Sequence, residues 1–189
     1  MACIRPLILM GIIYGQDDHY FINDLEIDGN ESISKNEILF IVRQRPPNFF
    51  FRRPKFDPRL LRLDALTLKN YYYSKGFLDV VINESYHIKD NSNKNKLVDI
   101  LYKVVEGKQY HLSKVYINGN DLISKKKITK ILGLKIDSPY NPVGLNDNLY
   151  LLENEYQNLG KLFATITVKD EIKDSVEIKI DIDEGKYIY

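Results

Sequence analysis

At 189 residues and 44% hydrophobic content, the chain can bury the core of one ordinary domain or of two small ones. A formal net charge of +1 gives no global pull toward nucleic acid or acidic substrates. The lone cysteine, Cys3, excludes a disulfide framework and a thiolate metal site.

In chain order, the start MACIRPLILMGIIYG places Arg5 before an apolar run from Leu7 to Tyr14. These are the proportions of a short secretory signal cut near Gly15, with a buried N-terminal strand as the other reading. Residues 1–19 are assigned to signal and leader, and the run is too short to span a bilayer. Cys3 precedes it, so Cys3 is not placed as a lipoprotein acceptor.

The phrase IDGNESIS follows at 27–34, with Gly-Asn suited to a turn of positive φ and without the glycine run and lysine of a phosphate loop. Ser34 and Glu37 fit a capping box ahead of Ile38, Leu39 and Ile41. From Arg43 to Arg62 stand seven basic residues (Arg43, Arg45, Arg52, Arg53, Lys55, Arg59 and Arg62) against one acid, Asp57, interleaved with Phe49, Phe50 and Phe51. This is either a solvated loop whose phenylalanines pack down, or a docking surface for a partner or membrane centred on Phe50, Arg52, Arg53 and Lys55.

A long helix is predicted from the Asp57-Pro58 start to the Gly76 stop, with Leu61, Ala65, Leu68 and Tyr72 on one face. An alternating stretch then points Leu78, Val80 and Ile82 inward. After the polar break KDNSNKNK, read as a hairpin turn, Val98, Ile100, Tyr102 and Val104 alternate up to Glu106-Gly107. The link from Lys108 to His111 lacks glycine and proline, so limited hinge freedom is expected.

The order then repeats. INGNDLIS at 117–124 matches the opening phrase, and Ser124 caps Ile128 and Ile131 with Lys127 where the acid stood. Asn141-Pro142 and Gly160 bound the second long helix, whose apolar face is Leu145, Leu149, Leu152 and Tyr156. Leu162, Ala164, Ile166 and Val168 form the next inward set, and after DEIKDS come Val176, Ile178, Ile180 and Ile182, closing at Glu184-Gly185. Asp181, Asp183 and Glu184 are read as solvent-side carboxylates of that strand. The offset between copies falls from 90 to 84 to 78, two loop insertions of six residues in copy one.

Each copy therefore reads strand, helix, helix, strand, strand, and two helices can cover one face of a three-stranded sheet. The fold class is α+β, with tandem βααββ modules, each a mixed sheet under two helices. Module 1 is placed at 20–107 and module 2 at 108–187. EGKYIY at the end resembles EGKQYHL at 106–112, which suggests that 188–189 begin a third module. His19, His87 and His111 are too scattered for a triad or metal trio, so no enzyme, cofactor or metal is predicted.

This ordered set resembles POTRA domains, the polypeptide-transport-associated modules of outer-membrane assembly factors of the BamA and TamA type. The resemblance covers residues 20–189. It is close in copy one, through RRPKFDPRLLRLDALTLKNYYYSKGFLDVVI with Asp64 and Gly76-Phe77-Leu78-Asp79; copy two departs with Lys161 and Phe163 in place of the aromatic and the acid.

The resemblance implies a periplasmic, non-enzymatic scaffold associated with the outer membrane. It would bind unfolded β-barrel precursors by strand addition, with other assembly-complex subunits as partners, no nucleic acid, and an outer-membrane β-barrel in cis beyond residue 189. It also implies a central third strand and an edge second strand, placing free main-chain groups at 78–86 and 162–169. Asp79, Val81, Asn83, Phe163, Thr165 and Thr167 would then touch the client. The alternative is an edge that stays solvated, guarded by Asp79, Glu84 and Lys169. Two other functions stay open: the POTRA part of a two-partner secretion transporter, and a nucleic-acid-binding α+β protein using Arg43 to Arg62.

Overall fold

A computed structural model describes residues 19–48, 53–89 and 95–186. The predicted signal, Phe49 to Arg52, most of the first hairpin turn and the start of a third module lie outside the described residues. The first sheet-and-helix unit comprises β1 (His19–Asp28), α1 (Lys35–Ile41), α2 (Pro58–Ser74), β2 (Val81–Lys89) and β3 (Asn95–Val105). The second comprises β4 (Leu112–Asn118), α3 (Lys125–Ile131), α4 (Pro142–Asn158), β5 (Thr165–Ile172) and β6 (Val176–Asp183). The sheet orders are β1-β3-β2 and β4-β6-β5, with the last strand of each unit central, parallel to the first and antiparallel to the second. The α+β prediction of two mixed sheets under paired helices is what the chain forms.

Two separate cores follow from the apolar faces. Leu61, Ala65, Leu68 and Tyr72 of α2 pack on Ile22, Leu25, Val98, Ile100 and Tyr102. Leu145, Leu152 and Tyr156 of α4 pack on Leu112, Val176, Ile178 and Ile180. Each fully buried aliphatic side chain contributes about 1.5–3 kcal/mol.

The repeated motifs prove to be one device. Gly29 and Gly119 have φ of +80° and +74°, and a Cβ there would stand 2.1 Å from the Val104 carbonyl oxygen or 2.0 Å from that of Ile182. The opening turn thus lies directly against the end of the central strand. The closing glutamates complete it: Glu106 accepts from the Ser32 N–H at 2.9 Å and from the Tyr72 hydroxyl at 3.0 Å, and Glu184 accepts from the Leu122 N–H at 2.9 Å. Glu184 is therefore a half-buried turn cap beyond the end of β6, correcting its reading as a solvent-side strand carboxylate. The capping box at α1 is only half formed. Ser34 Oγ accepts from the Glu37 N–H at 3.3 Å, but the Glu37 carboxylate takes the Tyr71 hydroxyl and faces Lys75.

Both long helices end in Schellman turns. Phe77 N–H donates to the Tyr72 carbonyl and Gly76 N–H to that of Tyr73, with Lys161 and Gly160 repeating the pattern on Tyr156 and Gln157. These turns delay the strands, so β2 and β5 begin three residues after the expected edges. Leu78 is consequently not an inward strand residue of its own sheet; it packs against the second core. Leu162, expected inward, is 54% exposed.

Candidate functional site

A strand has two hydrogen-bonding margins, and those of the central β3 and β6 are consumed by their neighbours. The outer margins of β1 and β4 are covered at their starts by the chain itself. Ile22 N–H donates to the Pro54 carbonyl at 2.8 Å and Phe56 N–H to that of Tyr20 at 2.9 Å; Leu112 N–H donates to Ser138 and Asp137 N–H to Leu112. Among the described residues, β2 pairs only with β3 and β5 only with β6. Their outer N–H and C=O groups can accept an added strand.

Four of the predicted contact residues lie on these margins. Val81 and Asn83 in β2, and Thr165 and Thr167 in β5, are exposed on the sheet face away from the helices, opposite Val105, Lys103, Asp183 and Asp181. The other two precede the strands. Asp79 Oδ2 accepts from the Tyr110 hydroxyl at 2.7 Å, a bond that holds that phenol above its ordinary pKa. Phe163 sits in the turn after α4, 68% exposed. Of the expected guards, Glu84 is half-buried on the helix side opposite Tyr102, whereas Lys169 is exposed opposite Lys179.

The margins differ chemically. β2 ends on the partly exposed Tyr86 and Ile88, with the Tyr86 ring 4.8 Å from that of Phe56. Lys89 binds Asp99 at 2.5 Å, and that bond, followed by one from Asn23, draws the Asp99 carboxyl below its usual range. β5 carries Lys169, Asp170 and Glu171 in succession, and Tyr140 replaces the aromatic contact by donating its hydroxyl to Asp170 at 3.2 Å.

The structure brings together residues that periodicity did not single out for a role. Asp64, 1% exposed, accepts the N–H groups of Arg43 at 2.8 Å and Gln44 at 2.9 Å and lies 3.4 Å from the Tyr102 hydroxyl. Burial first, then this carboxylate, raises the Tyr102 phenol. The available signal was an acid three residues after Leu61, on the apolar face of α2. A second missed feature is the junction between units. Tyr110 N–H donates to the Gly76 carbonyl at 2.8 Å, Tyr140 N–H to that of Tyr110 at 2.9 Å, and Gln109 Nε2 to that of Lys75 at 2.9 Å. A Cβ on Gly76 would stand 2.7 Å from the Tyr110 oxygen. Main-chain bonds, joined by the Gln109 amide and the Tyr110 hydroxyl, hold this link.

Of the expected basic docking residues, Arg53 and Lys55 are exposed beside the covered β1 margin, while Phe50 and Arg52 lie outside the described residues. Among the described residues no cluster of three His, Cys, Asp or Glu could hold a metal, and no helix is long and apolar enough to cross a membrane.

Comparison with known proteins matches this geometry. The family model POTRA, described as surface antigen variable number repeat, matches residues 20–107 and 110–185. The outer membrane protein assembly factor BamA of Buchnera aphidicola is 25% identical over 185 residues, 93% of this chain and 29% of that protein. The chain thus spans less than a third of that relative's length. Among solved structures, Haemophilus influenzae BamA POTRA3-5 superposes with a TM-score of 0.60 at 20% identity, covering 89% of this chain and 68% of that one. The N-terminal domain of Omp85 from Thermosynechococcus elongatus gives 0.51 at 16%, covering 87% and 63%. At these identities the likeness concerns the fold.

Proposed function

The chain belongs to the POTRA family, and on that premise we propose that it is a periplasmic scaffold beside the outer membrane that receives unfolded β-barrel precursors and aids their assembly. The two modules, 20–107 and 108–187, act by main-chain pairing at β2 and β5, without covalent chemistry. One observation carries this reading: each unit leaves one sheet margin unpaired along its length among the described residues, while the start of its opposite margin is covered by the chain's own loop. A barrel precursor alternates with the period of a strand, so its backbone can add to such a margin whatever its sequence. Val81 and Asn83, and Thr165 and Thr167, flank the incoming strand. Asp79 lies outside the binding margin and holds the junction. The similarity to an assembly factor supports the client class.

Photo-crosslinking tests it. A benzophenone residue at Asn83 or Thr167 is expected to capture an unfolded outer-membrane barrel precursor, and one at Lys55 or Lys135, on the opposite margins, is not. Equal capture from both sides of the sheet overturns strand addition.

A further inference from the structure

The distribution of arginine is unlike that of lysine. The chain holds seven arginines and twenty lysines; Arg5 aside, every arginine lies between 43 and 62. The second unit carries its positive charge on lysine alone. Where lysine serves for general solvation, arginine concentrated in one segment points to its planar fork, which grips phosphate or carboxylate oxygens through two N–H groups. Arg45 is accounted for: its Nη1 donates to the Leu39 and Val42 carbonyls at the end of α1. The side chains of Arg43, Arg53, Lys55, Arg59 and Arg62 are exposed, and among the described residues none meets a carboxylate.

Hydrogen bonds bring these five to one end of the first unit. Arg43 N–H is held by Asp64 on α2, Asp57 N–H by Gln44 Oε1 at 3.2 Å, and the segment Pro54–Phe56 by β1. Arg59 and Arg62, three apart in the first turns of α2, share a helix face. The nearby acids are engaged: Asp57 caps α2 through the Arg59 N–H, and Asp64 is buried. At the equivalent places the second unit has Gly133, Asp137, Pro139, Val143 and Asn146, none of them cationic. The duplicated fold therefore does not need this charge.

We propose that this patch docks the first unit on a membrane surface bearing anionic phosphate headgroups. The inference rests on the proposed location beside the outer membrane, which makes such a surface the extended polyanion at hand. Position favours it too: Arg53 and Lys55 border the covered start of the β1 margin, at the opposite side of the sheet from the outer β2 margin, so a unit docked through them still offers β2 to a client.

Vesicle co-sedimentation of the full chain tests the assignment. Vesicles of phosphatidylcholine with about one-third phosphatidylglycerol are expected to bind the chain and pure phosphatidylcholine vesicles not to, with binding lost as salt is raised. R53E/R59E/R62E should weaken binding at least about ten-fold, whereas K125E/K126E/K130E on α3, with the same change of net charge, leaves it within about two-fold. R53K/R59K/R62K keeps the charge and is expected to lose several-fold through the fork. No binding to the anionic vesicles, or equal loss from both reversals, overturns the proposal. Binding to polyglutamate but not to vesicles overturns it in favour of an acidic polypeptide. Precursor capture at Asn83 is read separately, so failure here and failure of the strand-addition reading are distinguishable.

Discussion

The two units solve the same problem, how to end the short first helix under the sheet's cover, with different chemistry. α3 ends on Gly133 at φ +69°, with Gly133 N–H bonded to the Lys130 carbonyl and Leu134 N–H to that of Thr129. This ending is satisfied within the main chain. α1 has Arg43 where that glycine would be, and its next two N–H groups reach across to the buried Asp64, which in turn faces Tyr102. In the second unit the corresponding residues are Asn148 and Ile180. A left-handed glycine makes a buried acid unnecessary; its loss commits a carboxylate, a phenol and Gln44 to a buried polar cluster. The lesson is that a conserved outline of strands and helices leaves the core free to be polar in one copy and apolar in the other.

The largest test of this contrast is D64A. Two main-chain donors lose their acceptor in a buried place, so module 1 should lose about 3–5 kcal/mol. N148A, at the equivalent position, should cost less than about 1 kcal/mol. Amide hydrogen exchange resolved by unit reads both, and equal losses break the contrast.

Next in size is G133A. It should destabilise the second unit by about 1 kcal/mol, since a side chain there is strained at positive φ although only Asn148 lies near. Urea denaturation followed on α3 measures it. R43G, supplying the first unit with the missing glycine, should reduce the cost of D64A, and the double-mutant cycle reports that coupling.

Y110F, which removes the hydroxyl donated to Asp79, should loosen the junction with little change in the stability of either unit. Its readout is a wider distribution of inter-unit orientations in residual dipolar couplings, with both cores unchanged.

The smallest effect concerns alkali. Burial raises the phenols of Tyr72 and Tyr102 in one unit and of Tyr140 and Tyr156 in the other. The folded state retains these protons while the unfolded chain loses them near pH 10, so stability is level below about pH 10 and falls as pH rises further. Both units should decline together in urea titrations between pH 8 and 11. Y102F should flatten the decline of the first unit alone, leaving it shallower than that of the second, which keeps both Tyr140 and Tyr156.

Periodicity and stop signals made the architecture legible, because an apolar face must be covered whatever else the residue does. Leu61, Ala65, Leu68 and Tyr72 were recoverable from spacing alone, as were Val176, Ile178, Ile180 and Ile182. The strand starts were not. The alternation through Leu78 and Leu162 looks continuous with the strand, but the Schellman turns spend those residues on the junction and on solvent. The candidate site was legible in part: Val81, Asn83, Thr165 and Thr167 follow from alternation, whereas the place of Asp79 depends on Tyr110, thirty-one positions away.

What the sequence determined by itself is the duplication, the order of elements, and the pairing of an opening Gly-Asn with a closing Glu-Gly, since these are written in local pattern and spacing. Only the tertiary structure decided that the glutamate caps the distant turn, that Asp64 replaces a glycine, and where the edge strands begin. Those outcomes depend on which main-chain donors and acceptors meet, and a backbone group carries no letter in the sequence to announce its partner.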